Sequence, residues 1–158
     1  MQDFPHHYAV AATSAADSNV MLRSPGLETL ESAGPAEFGG PGDLWSPETM
    51  LVASVANCFI LSFKAIARAS KFEWLSLSCD VVGDLDKVGR KTQFTGFKLR
   101  VTLEVPEGAR EDKAQRLLEK AEKSCLITNS LKADSHLDAN PDPGNGGLIS
   151  YRLVSSFP

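Results

Sequence analysis

Three cysteines and three histidines are spread over 158 residues, and none of them stands at the CxxC, CxxH or HxxxH spacing that a tetrahedral metal site needs. A zinc centre is therefore not expected, and no cofactor site is read either. The same scarcity argues against a disulfide scaffold, since such scaffolds are small, cysteine-dense and exported. The thiols are expected to be reduced at rest. Positive charge is also short: 16 Lys and Arg stand against 20 Asp and Glu, a formal net charge of −4. That leaves no basic field to attract phosphate backbones or anionic lipid, so neither nucleic acid nor a membrane surface is expected as a partner. Residues 1–20 lack the charged start and continuous apolar run of a secretory signal, and no membrane-spanning segment is read. A cytoplasmic protein is expected.

What is present is the composition of an ordinary globular chain, 42% hydrophobic and 23% charged. Its length suits one domain over residues 1–158. Two short extended segments are expected near the start, over 7–14 and 19–22. A Gly- and Pro-rich loop, SAGPAEFGGPGD, follows over 32–43. Ser46, Pro47 and Glu48 then supply a capping hydroxyl, a first-turn proline and an acid suited to the helix dipole. The helix they open runs to about 68–71 and is apolar on most sides, which predicts that it is buried.

Alternation of Leu75, Leu77, Cys79 and Val81 with polar residues, and of Leu99, Val101, Leu103 and Val105 likewise, predicts two strands with one wet face. The charged stretch 83–91 between them reads as a hairpin or its loop. An amphipathic helix is expected over about 108–123, then a short apolar stub at Leu126 and Ile127, a Pro- and Gly-rich loop over 140–147, and a last strand carrying Ile149, Tyr151 and Leu153. This order is α+β, and so apolar a helix in so small a domain points to a dimer.

The cysteines carry the candidate chemistry. Cys79 alternates with apolar strand residues and fits as a small core hydrophobe. Cys58, in the apolar helix, fits a core thiol as well as a working one, although Asn57, Ser62 and Lys64 interrupt the apolar run around it. Cys125 falls where a helix ends, a place where a thiol can be near the surface and mobile. A Cys/His hydrolase would need His136, the only interior histidine, beside Cys58. A non-catalytic binding or structural module with inert thiols is the other alternative.

The block PAEFGGPGDLWSPETMLVASVANCF, Pro35 to Phe59, resembles the signature of the OsmC/Ohr family of thiol peroxidases. In that family a Gly-rich loop leads to a Pro-Glu pair opening a central helix, with the peroxidatic cysteine ten residues beyond the Glu; Pro47, Glu48 and Cys58 match. Ser124 to Thr128 resembles the segment bearing the resolving cysteine, which makes Cys125 its counterpart, with Leu126 in place of the family's usual proline. The resemblance implies antiparallel sheets wrapped around a buried central helix in an intertwined homodimer. It also implies that an organic hydroperoxide is reduced to its alcohol, through a Cys58 sulfenic acid and then a Cys58–Cys125 disulfide. A dithiol of the lipoyl type, or another small thiol, then restores both cysteines.

Family members pair the Glu with an arginine from the N-terminal strands that faces the thiolate, and Arg23 is the only arginine before Cys58. An apolar site raises a thiol's pKa, and Cys58 lies too far from the start of its helix for that dipole to help, so a cation is expected to supply the activation. Ten residues of helix separate Glu48 from Cys58 by ~15 Å. Sites shared across the dimer are therefore expected, joining Cys58 and Cys125 of one subunit to Glu48 and Arg23 of the other.

Overall fold

The computed structural model describes residues 3–132, 140–141 and 148–152. The chain divides into two compact units, residues 1–51 and 52–158.

In the first unit, β1 (Ala11–Thr13), β2 (Val20–Arg23) and β3 (Leu30–Ser32) form an antiparallel sheet in sequence order. The Ser14 hydroxyl donates to the Ser18 carbonyl at 2.9 Å and closes the first connection, so Thr13 faces Met21 across the strands. The Gly- and Pro-rich stretch is largely loop, as its composition predicts, but it also contains a short 3₁₀ turn at Ala36–Phe38. That turn ends on Gly39 with φ 82°, a left-handed backbone that glycine adopts without strain. Gly40 lies so close to the Gly34 carbonyl that a β-carbon there would collide with it. The loop then returns to the sheet, where the Ala33 N–H donates to the Trp45 carbonyl at 3.1 Å.

Ser46 starts the long helix α1 (Pro47–Ala69) as the sequence predicts, through a reciprocal cap. Thr49 N–H donates to Ser46 Oγ at 3.2 Å, and Ser46 N–H donates to Thr49 Oγ1 at 2.8 Å, so two donors that the helix leaves orphaned are satisfied.

In the second unit, β4 (Ser76–Val88) and β5 (Lys91–Glu104) form one long antiparallel hairpin. β7 (Leu148–Arg152) pairs with β5, and β6 (Asn140–Pro141) with β7, giving the order β4-β5-β7-β6. Between β5 and β6 lie α2 (Glu111–Lys123) and the four-residue α3 (Leu126–Asn129). The core of this unit combines Phe97, Leu99, Val101, Leu103 and Val105 with Ala114, Leu117, Leu118 and Ala121 of α2. To these α1 adds the four-residue stripe Val55, Phe59, Phe63 and Ala67. Phe63 meets Trp74 edge-on at 5.5 Å.

Two expectations change. The charged stretch 83–91 is strand almost throughout, with only Gly89 and Arg90 left to turn. A bulge between Asp84 and Leu85 breaks the alternation that would have revealed it. The α1 helix is not fully buried, for only those four residues are, and Leu61 is 54% exposed. By length and composition α1 also meets the test for a membrane span, a test that the core helix of a soluble protein passes too. Leu153, expected in the last strand, lies outside the described residues.

Candidate functional site

Cys58 lies in the fourth turn of α1, one residue before the buried Phe59, and is half-buried. The helical period brings the Ser62 hydroxyl, four residues on, to the same sulfur. From the other side comes the segment that joins α2 to α3. There Cys125 opens α3 with extended backbone, φ −68° and ψ 111°, and its free thiol lies near enough to that of Cys58 to lower the Cys58 pKa by hydrogen bonding. The backbone amides of Ile127 and Leu126 act on the Cys58 pKa in the same direction.

These contacts decide the charge of the site. Burial pushes the Cys58 thiol up, as an apolar helix should. Against it stand the Ile127 amide, the Cys125 thiol, the Ser62 hydroxyl and the Leu126 amide, and the balance holds Cys58 below the ordinary cysteine value. Hydrogen bonds within one chain thus favour the thiolate before any cation is counted, which the expectation of activation by arginine alone had left out. Cys125 goes the other way: burial raises it, Thr128 partly opposes this, and the neighbouring Cys58 adds to the rise. The two thiols are therefore shifted in opposite directions, Cys58 down and Cys125 up.

Cys125 is buried, at 1% exposure, rather than near the surface. Its neighbour Leu126 is 75% exposed. Cys79 sits half-buried on β4 opposite Val101. Burial, then the charges of Asp80 and Cys125, push it up to about 12, so it stays a neutral thiol.

The other two candidate residues belong to the first unit. Arg23 ends β2, exposed, and donates from Nη1 to Thr13 Oγ1 at 3.1 Å; it makes no ion pair among the described residues. Glu48 is the second residue of α1, and its Oε2 is buried without a hydrogen-bond partner among the described residues. A buried acceptor left unpaired costs about 1–3 kcal/mol, so the oxygen is set for a donor. Ten residues along one helix keep Glu48 from reaching Cys58 of its own chain. His136, which a hydrolase would need, lies outside the described residues. Among the described residues no three metal-ligating side chains come together.

Comparison with known proteins bears on this arrangement. The family model for OsmC-like protein matches residues 40–140, which takes in α1, Cys58 and Cys125. The chain belongs to the OsmC-like family. Its relatives include YmaD of Bacillus subtilis, an uncharacterized protein 28% identical over 149 residues, covering 90% of this chain and 97% of that one. An OsmC-like protein of unknown function from Vibrio cholerae superposes with a TM-score of 0.76 at 18% identity, over 82% of this chain and 96% of that one. An organic hydroperoxide resistance protein, OsmC, from Legionella pneumophila does so with a TM-score of 0.62 at 26% identity, over 82% and 92%. The mixed helix-and-sheet architecture expected from the sequence is therefore the OsmC/Ohr fold. Within this OsmC-like chain, the Leu126 and Ile127 amides were beyond sequence reasoning, because backbone N–H groups leave no residue-type signature. Ser62 was visible as a polar break four residues after Cys58.

Proposed function

We propose that this OsmC-like protein is a thiol peroxidase that reduces organic hydroperoxides. The observation that carries the reading is the hydrogen-bonded Cys58–Cys125 pair, in which one thiol is held below its ordinary pKa and the other above. The Legionella relative, an organic hydroperoxide resistance protein, supports the substrate class.

In the proposed cycle the Cys58 thiolate attacks the terminal oxygen of ROOH. The O–O bond breaks, the alkoxide takes a proton and leaves as ROH, and Cys58 becomes a sulfenic acid. The Cys125 sulfur then attacks the Cys58 sulfur, water leaves, and the disulfide forms. A dithiol of the lipoyl type reduces it and is itself oxidised to a disulfide. The Glu48 carboxylate orients the planar guanidinium of Arg23 through a bidentate pair, and Arg23 stabilises the thiolate and polarises the peroxide. The orphaned Glu48 oxygen supports that pairing. Because Glu48 and Cys58 lie ten residues apart on one helix, the Glu48–Arg23 pair comes from the second subunit of a homodimer. The whole chain acts as one OsmC/Ohr-like domain of a soluble, cytoplasmic stress-response enzyme.

Adding cumene hydroperoxide to the reduced protein and counting thiols tests this. Wild type should lose two thiols, Cys58→Ser none, and Cys125→Ser should stop at a trappable sulfenic acid. Unchanged thiols in wild type would overturn the peroxidase reading.

A further inference from the structure

The helix that carries Cys58 and the helix that leads to Cys125 are tied together at the end away from the thiols. There α1 closes on a left-handed residue, Lys71 with φ 48°. The Phe72 N–H donates back to the Ala67 carbonyl at 2.9 Å and the Lys71 N–H to the Arg68 carbonyl at 3.2 Å. The Ser70 carbonyl lies beyond that motif, and the Lys113 ammonium of α2 donates to it at 2.9 Å. The same ammonium stands over the Phe72 ring, 5.7 Å from its centroid, and a cation suits the negative end of the α1 dipole.

Cys58 stands twelve positions before Ser70, and Cys125 twelve positions after Lys113. From the tie the two helices therefore lead back to the thiols over similar lengths, about 15–18 Å each. Along that length α2 is held by Ala114, Leu117, Leu118 and Ala121, whose buried apolar contacts resist separation but have no preferred direction. Arg110 and Arg116 bond to Asp112, and Gln115 to Glu119, all within the helix and its cap. The Lys113 bond is directional and joins α2 to another element.

We propose that Lys113 is a positioning residue for the Cys58–Cys125 pair, fixing the tilt of α2 on α1 from the end opposite the thiols. A tilt of about 3° over ~18 Å displaces the Cys125 end by ~1 Å, and a misplacement of that size costs up to about a hundredfold in an aligned reaction. The place of Lys113 in turnover rests on the peroxidase reading above, in which Cys125 must reach the Cys58 sulfenic acid.

Exchange with glutathione reads the alignment. The protein dithiol and oxidised glutathione give the Cys58–Cys125 disulfide and two reduced glutathiones, so the equilibrium ratio, resolved by peptide mass, is the effective molarity of one thiol toward the other. Global stability, followed separately by the urea midpoint, does not enter while the protein stays folded. Lys113→Met keeps the aliphatic stem and loses the donor, and the effective molarity should fall about ten- to a hundredfold. Lys113→Arg keeps a cation in reach of the carbonyl and should stay near wild type. Lys120→Met removes the same charge from an exposed position of α2 closer in sequence to Cys125, and should leave the equilibrium unchanged.

Equal equilibria in wild type and Lys113→Met, or as large a fall in Lys120→Met, would overturn the proposal. If Lys113→Met fails to fold, Lys113→Gln, too short to reach the Ser70 carbonyl, decides alone. Because exchange with glutathione needs no peroxide, a lowered effective molarity in a protein that consumes no hydroperoxide would sink the peroxidase reading and leave this inference standing.

Discussion

Mixing two inactive variants tests whether the site is shared between subunits. Glu48 and Cys58 are ten residues apart on the continuous helix α1, a rise of ~15 Å against the ~3 Å of a hydrogen bond. Cys58→Ser and Glu48→Gln should each be inactive as homodimers, the first for want of a nucleophile and the second for want of the carboxylate that orients Arg23. In a hybrid dimer with sites built across the interface, Cys58 of the Glu48→Gln chain meets Glu48 of the Cys58→Ser chain, and that site is whole. The second site carries both lesions. Random 1:1 assembly makes half the dimers hybrids, each with one of two sites intact, so about one quarter of wild-type turnover should return. Hybrids purified through two affinity tags should show about half. The assay is reductant-coupled consumption of cumene hydroperoxide. Hybrids no more active than their inactive parents would refute the shared site, because with both residues drawn from one chain every hybrid site carries a lesion.

The core and the cap make further predictions. Phe63 is fully buried against Trp74, so Phe63→Ala should cost about 3–5 kcal/mol, read as a lower urea midpoint at an unchanged slope. Ser46→Ala removes the hydroxyl that receives the Thr49 N–H and should cost about 1 kcal/mol by the same titration. Cys79, pushed up to about 12, should resist alkylation at a pH near 9 that modifies Cys58 fully, and Cys79→Ala should leave peroxide turnover unchanged. Its sign on stability follows from linkage. The unfolded chain gives up the Cys79 proton near the ordinary thiol value and the folded chain only near 12. Stability from this group is therefore complete below the unfolded value and falls as pH rises between the two, and Cys79→Ala should flatten that alkaline slope.

The parts of the fold that announce themselves by residue type were legible. Ser46, Pro47 and Glu48 marked the start of α1, and α2 was visible from its two-sided pattern. The far end of the β4–β5 hairpin was not. Val82, Leu85 and Val88 are all exposed there, and the bulge after Asp84 shifts the register. A period of two needs one buried face and an unbroken ladder, and neither exists at that end. The β3 strand, with only Leu30, Glu31 and Ser32, is too short to show any period, and α3 carries β-branched Ile127 and Thr128 where a helix former would be expected. At the site, Cys58 and Cys125 could be paired only through the family resemblance, since 67 positions of chain separate them. Their unequal pKa shifts depend on burial and on amide directions, which exist only once the chain has folded.

The apolar exterior of α1 also bears on how the protein is made. The helix ends at Ala69, whereas the segment that brings Cys125 and its amides to Cys58 ends at Asn129. At about 5–20 residues per second, those sixty residues take about 3–12 s to synthesise. Within that interval, once it has left the exit tunnel, a 23-residue helix that passes by length and composition for a membrane span has yet to receive all of its covering strands and helices. Slow translation over codons 76–129 would prolong that exposure, and chaperones that bind nascent apolar segments would find their target in α1.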